Sequence, residues 1–195
     1  MAKNIYFFPF LMSACVDTCG GYLLAQDCVE MLTLDCCLHS MDTNIKRSHL
    51  AIPKGVEVNE TDVYKKRLGL IKNDCSLYVC GHTNAGSSTI ASPDDPKISL
   101  TVTQLCEYLS HLPTAWSGNL IVNGCESATS GTVWCCFRTD SIAKRILNKL
   151  RITHKHLSVF GYNTSINAKL LLKGGVYMKL TENNEDAATA LCEII

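Results

Sequence analysis

Two stretches decide the reading: Ser76-Leu77-Tyr78-Val79-Cys80-Gly81-His82 and Asn119-Leu120-Ile121-Val122-Asn123-Gly124-Cys125. Each is an apolar run of strand length that ends in a glycine, and each glycine is followed by a side chain capable of acid–base or nucleophilic chemistry. Two further runs, Ile5 to Leu11 and Leu157 to Phe160, share the same lack of polar alternation. Runs of this kind suit strands buried on both faces, so the expected class is α/β, a mainly parallel central sheet flanked by helices. In an open sheet of that class, ligands and reactions sit beyond the carboxyl ends of the strands. His82 and Cys125 both fall on that edge.

Working outward, the segments between the runs read as helices from their periodicity and their ends. Thr101 to Leu112 places Val102, Leu105, Cys106 and Leu109 at core spacing and is closed by Pro113. Asp140 to Leu150 turns Ile142, Ile146, Leu147 and Leu150 inward, with Asp140 or Ser141 as the cap. Tyr22 to His39 reads as an amphipathic helix through Leu23, Leu24, Cys28, Met31 and Leu32, and Asn183 to Ile195 as a terminal helix. Lys46 to Asn73 mixes a short hairpin around Pro53-Lys54-Gly55 with a surface helix whose Lys65-Lys66-Arg67 forms a solvated face. Ala168 to Leu172 and Val176 to Leu180 flank Lys173-Gly174-Gly175 and read as a β-hairpin.

The chain has 195 residues, which predicts a single domain spanning 1–195. Lys and Arg number 18, Asp and Glu 18, and 47% of residues are hydrophobic, which excludes a disordered acidic tail and disfavours nucleic-acid binding by bulk charge. The longest apolar stretch, Ile5 to Met12, carries Pro9 and falls well short of the roughly 20 residues of a bilayer span. With Lys3 before it and Ser13-Ala14-Cys15 after it, that stretch also resembles a weak export signal, but a buried first strand accounts for it better.

The 12 cysteines are read as mostly reduced core residues. Cys36-Cys37 and Cys135-Cys136 are adjacent pairs and no Cys-x-x-Cys occurs, which argues against a zinc ribbon. Cys15-x-x-x-Cys19 and His154-x-His156 each lack a matching second half, so no metal and no cofactor is expected. Gly81 to Ser88 has the glycines of a phosphate loop without its lysine, and Ser87 or Ser88 is read instead as a helix cap. Asp74 and Glu126 are near the two key residues in sequence and are read as solvated rather than as orienting His82 or binding a basic group. Asp94-Asp95, after Pro93, is read as a surface loop.

A thiol needs a base or positive charge close by to ionise, and an imidazole on the adjacent strand end supplies it. Cys125 is therefore the candidate nucleophile and His82 the candidate acid/base. The glycines let backbone pass close to a substrate or turn sharply. The backbone N–H of Cys125 is the expected donor to a developing oxyanion, with a second donor from the loop just after His82, and Thr83 and Gly124 are the backbone positions involved.

This arrangement resembles the caspase-like (clan CD) cysteine peptidases, in which an apolar run precedes His-Gly and a later apolar run ends in the catalytic cysteine. His82 and Cys125 lie 43 positions apart, comparable with about 50 in caspases. The pattern is most similar to the autoprocessing cysteine protease domains of large bacterial toxins, and the resemblance covers about Cys75 to Leu180. It implies a caspase-hemoglobinase-like three-layer fold with a C-terminal hairpin, and a thiol endopeptidase acting on a protein or peptide substrate through an acyl-enzyme. The competing expectation is an inactive scaffold of that fold that binds a protein partner. The resemblance further implies a bacterial effector, cytoplasmic or secreted into a host cell, and activation by an inositol polyphosphate. Lys65, Lys66, Arg67, Lys169 and Lys173 are the available cations for such an activator, though the balanced charge gives them no separate support. Two departures stand out: Thr83 occupies the family's usual glycine after the histidine, and the caspase Gln-Ala-Cys is absent.

Overall fold

A computed structural model describes residues 3–15, 28–39, 63–133, 137–166, 171–173, 176–178 and 190–195. The central sheet has seven strands: β1 (Lys3–Phe7), β2 (Cys28–Leu32), β3 (Cys37–His39), β4 (Cys75–Cys80), β7 (Asn119–Asn123), β10 (Ser158–Tyr162) and β13 (Leu191–Ile194). Their spatial order is β13-β10-β7-β4-β1-β2-β3. The five inner strands pair in parallel, and β3 and β13 close the two edges in antiparallel sense. All four apolar runs singled out in the sequence supply inner strands, so the α/β class and the mainly parallel sheet hold.

Alternation along the strands explains why the runs lack polar residues. Ile5, Phe7, Leu77, Val79, Leu120, Val122 and Val159 belong to one core with Leu105, Leu109, Ile146 and Leu150 of the helices. On the other face Tyr6 stacks on Tyr78 with ring centroids 4.7 Å apart, and Ile121 clusters with Tyr162, Ile166 and Phe160. A sheet covered on both faces has no position where alternation to polar residues would be favourable.

Three α-helices are described: α1 (Val63–Leu68), α2 (Val102–Leu109) and α3 (Ile142–Leu150). Tyr64 of α1 meets Tyr108 of α2 edge to face at 5.2 Å, and α2 in turn packs on α3. A capping box starts α2: Gln104 N–H donates to Thr101 Oγ1 (3.3 Å) and Thr101 N–H to Gln104 Oε1 (3.0 Å). Ser141, not Asp140, caps α3 by accepting from Lys144 N–H at 3.2 Å.

Several expectations are corrected. In the described part of Tyr22 to His39, Cys28–Leu32 and Cys37–His39 are strands, because β1 offers a parallel edge on which Met31 and Leu32 bury completely. The end of the expected terminal helix is β13, paired with β10. Ser87 caps no helix; its hydroxyl donates to Thr89 O (2.7 Å) at the entry of a hairpin formed by β5 (Thr89–Ala91) and β6 (Ser99–Thr101). A second hairpin, β8 (Gly131–Val133) with β9 (Phe137–Thr139), follows Cys125. The expected C-terminal hairpin is present as β11 (Leu171–Lys173) antiparallel to β12 (Val176–Met178). The expected hairpin around Pro53 lies outside the described residues.

Arg67 is not part of a solvated face. Its Nε and Nη2 donate to the two carboxylate oxygens of Glu30 at 2.5 and 2.6 Å, and Glu30 is 2% exposed. This two-pronged pair ties α1 to β2 of the sheet. Removing one partner of a buried pair leaves a charge without compensation. Arg67→Met is therefore expected to lower unfolding stability by about 2 to 4 kcal/mol, read as a fall in the urea midpoint with an unchanged slope.

Candidate active site

The parallel register of β4 and β7 pairs Cys80 with Asn123, the last residues of the two strands. Beyond that rung the chains continue through Gly81 and Gly124 to His82 and Cys125, so the two candidate residues leave adjacent strands at the same level. In the buried rung itself, Asn123 Nδ2–H donates to Cys80 Sγ at 3.0 Å. The inner strands run in the order β2-β1-β4-β7-β10, and the direction of winding reverses between β1 and β4. The carboxyl end of β4 therefore borders the switch point at which open sheets bind ligands.

The two glycines are required by close approach. A Cβ on Gly124 would lie 2.4 Å from Thr83 Oγ1 and 2.7 Å from Gly81 O; one on Gly81 would lie 2.5 Å from Ile90 Cγ1. Beyond Gly81, His82 and Ala91 form an antiparallel bridge, with His82 N–H donating to Ala91 O (2.8 Å) and Ala91 N–H to His82 O (2.9 Å). The β5–β6 hairpin thus holds the histidine's backbone on the edge of the site.

The His82 side chain is exposed, and its Nε2 lies 3.1 Å from Pro93 O. A carbonyl only accepts, so Nε2 carries a proton and Nδ1 is the basic nitrogen of the neutral ring. The loop bearing Pro93 is anchored in turn by Ser92, a buried hydroxyl that donates to Ala14 O after β1. Cys125 is half-buried. Its Sγ–H donates to Ile166 O (3.1 Å), and Ile166 N–H donates to Sγ (3.3 Å). The structure gives the imidazole and the thiol separate hydrogen-bond partners.

Thr83 is 4% exposed, and its hydroxyl donates to the Cys125 carbonyl at 2.6 Å. Gly124 N–H donates to Val122 O at 3.1 Å and is spent within the turn. The residue after Cys125, Glu126, has φ 50°, a left-handed conformation uncommon outside glycine, and its N–H donates to Thr164 O at 2.9 Å. Ser127 Oγ–H donates to Val122 O (2.7 Å) and accepts from Tyr162 N–H (2.9 Å), which ties the turn to β10.

Other sequence candidates lie apart. Asp74 precedes β4 and His82 follows it, so a strand of about 20 Å separates them and Asp74 has no access to the imidazole. Asp94 and Asp95 do form the loop beside His82, and Asp95 Oδ1 accepts from Lys97 N–H at 3.1 Å. His154 is buried, with Nε2 2.9 Å from Leu112 O and Nδ1 2.8 Å from Thr153 Oγ1, so both ring nitrogens serve the fold. Cys19 lies outside the described residues, and among those described no three His, Cys, Asp or Glu side chains are grouped to hold a metal. No described helix is long and apolar enough to cross a membrane. Of the expected anion-binding cations, Arg67 is committed to Glu30, and Lys169 lies outside the described residues.

Sequence reasoning passed over Pro93, Ile166 and Thr164. They contribute backbone groups, which carry no residue-type signal.

No family model matches the chain, and no curated protein matches it.

Burial separates the cysteines chemically. It pushes the Cys37 thiol up to about 12, helped by the Glu30 carboxylate, and Cys106 up to about 11. Cys36 and Cys75 are raised for the same reason, with Asp35 and Asp74 adding to it. A raised pKa means that the reactive thiolate is scarce at neutral pH. Peptide-mapped alkylation of the folded chain at pH 8 should therefore leave Cys37 and Cys106 unmodified. Raising the pH should bring in Cys106 before Cys37.

Proposed function

We propose that the chain is a cysteine endopeptidase of the caspase-like kind, with Cys125 as nucleophile and His82 as acid/base. The observation that carries the reading is the shared level of the two residues beyond adjacent parallel strands, together with an imidazole whose Nε2–H is held by Pro93 O. That hydrogen bond leaves Nδ1 as the proton acceptor and fixes the ring, as an orienting carboxylate does in other triads. The strand order, with the histidine and cysteine following the third and fourth parallel strands, supports a caspase-hemoglobinase-like architecture within the α/β class.

In this mechanism the thiol proton turns from Ile166 O toward His82, and the sulfur attacks the peptide carbonyl. The Ile166 N–H continues to donate to sulfur as its charge develops, and the Cys125 N–H serves the carbonyl oxygen. His82 delivers its proton to the departing amine. It then draws a proton from the water that attacks the acyl carbon, the carbon–sulfur bond breaks to release the carboxylic acid, and His82 returns the proton to the sulfur. The substrate is a protein or peptide. Activity in the cytoplasm or after delivery into a host cell, as a bacterial effector, and activation by an inositol polyphosphate are carried by the family resemblance alone.

A second reading, an inactive scaffold that binds a protein partner, is favoured by one observation: each member of the pair hydrogen-bonds elsewhere.

Cys125→Ala should abolish cleavage of a peptide library and labelling by a thiol-directed peptide inhibitor, with the melting temperature retained. His82→Ala should lower kcat by about 10² to 10⁴-fold, the range of general acid–base catalysis. Cleavage that persists in Cys125→Ala would reject the assignment. A wild-type chain that cleaves nothing and whose Cys125 reacts no faster than buried cysteines would favour the binding scaffold.

A further inference from the structure

We infer that the Thr83 hydroxyl is a positioning group for the Cys125 nucleophile, a latch that locks the turn after β7 to the histidine-bearing loop after β4. The inference rests on the peptidase reading. Thr83 follows the candidate acid/base directly in the chain, and its side chain reaches across to the main-chain carbonyl of the candidate nucleophile at 2.6 Å.

Three observations argue that this bond has consequences for the sulfur. The peptide unit between Cys125 and Glu126 is held at both ends: its carbonyl by Thr83 from the β4 side, and its N–H by Thr164 O from the β10 side at 2.9 Å. A peptide is planar, so holding both ends sets the rotation of the whole unit and fixes the position of the Cys125 Cα that carries the thiol. The residue after it adopts φ 50°, a conformation that an unrestrained glutamate rarely takes, so the surrounding bonds hold the turn against its local preference.

The second observation is the fit at Gly124. A Cβ there would lie 2.4 Å from Thr83 Oγ1 and 2.9 Å from Thr83 Cγ2, so the absence of a side chain makes the room that Thr83 occupies. Thr83 is also β-branched and 4% exposed, which restricts its rotation and keeps water from competing for the carbonyl. The third is the sulfur's own bracket: Ile166 N–H and O lie 3.3 and 3.1 Å from Sγ, an alignment met only when the Cys125 backbone is correctly turned. Thr83 touches neither sulfur nor substrate in this role. It acts through the backbone of Cys125, and it replaces the freedom of a glycine after the histidine with a fixed link between the two halves of the site.

The test compares Thr83→Val, which keeps the shape and removes the hydroxyl, with Thr83→Ser, which keeps the hydroxyl. Displacing a reacting group by about 1 Å costs up to about 10²-fold in rate, so Thr83→Val should lower kcat by about 10- to 100-fold with KM little changed. Thr83→Ser should recover most of the loss. Hydrogen exchange at the Glu126 amide supplies a readout independent of peptidase activity, and it should accelerate in Thr83→Val but not in Thr83→Ser, in both cases with the melting temperature showing a folded chain. Unchanged kcat and unchanged exchange in Thr83→Val would overturn the latch, and so would equal impairment of both variants. A wild-type chain without peptidase activity would sink the catalytic reading alone, and the exchange data would still decide whether Thr83 holds the Cys125 turn.

Discussion

Neither Gly81 nor Gly124 has room for a side chain: at Gly124 the space is taken by Thr83 and the Gly81 carbonyl at the end of β4, and at Gly81 by Ile90 and the Ala91 carbonyl of β5. That constraint organises the rest of the candidate site. Because Gly124 lacks a Cβ, Thr83 can fold over it and reach the Cys125 carbonyl; because Gly81 lacks one, Ile90 can pack there and bring Ala91 into its bridge with His82. The backbones that lead to the histidine and the cysteine are thus fixed by the close fit around the two glycines. Such support from a rigid sheet is what a reactive pair needs if its geometry is to survive thermal motion.

The cysteines and histidines show how environment sorts chemically identical groups. Cys37 and Cys106 sit where burial keeps them protonated, and Glu30 adds its charge against ionisation of Cys37. Cys125 occupies a half-buried turn with a backbone N–H directed at its sulfur. The histidines divide in a parallel way: both His154 ring nitrogens are engaged inside the fold, whereas the exposed His82 is anchored through Nε2. Residue type alone would have ranked these groups equally.

Much of the sheet was legible from sequence because burial on both faces forces long apolar runs, and a run such as Leu77 to Cys80 suits few other environments. The helices α2 and α3 were legible for a related reason: Thr101 and Ser141 announce their starts, and their apolar residues repeat at helical spacing. Met31 and Leu32 misled because apolar residues in Tyr22 to His39 also fit a helical period, while the edge of β1 that claims them is distant in sequence. The strands β5 and β8 span three residues each, too few for any periodicity to show. Arg67 read as solvated because its buried partner, Glu30, lies 37 positions away.

By itself the sequence determined the α/β class, the four inner runs, and the recurrence of glycine followed by His82 or Cys125, since these follow from local composition and spacing. Only the tertiary structure decided which strands are neighbours, which cation is spent on Glu30, and which carbonyls and amides receive the imidazole, the thiol and the Thr83 hydroxyl. Those partners are main-chain atoms contributed by Pro93, Ile166 and Cys125. Every residue carries the same main-chain atoms, so their role is set by where the fold brings them and leaves no trace in the order of side chains.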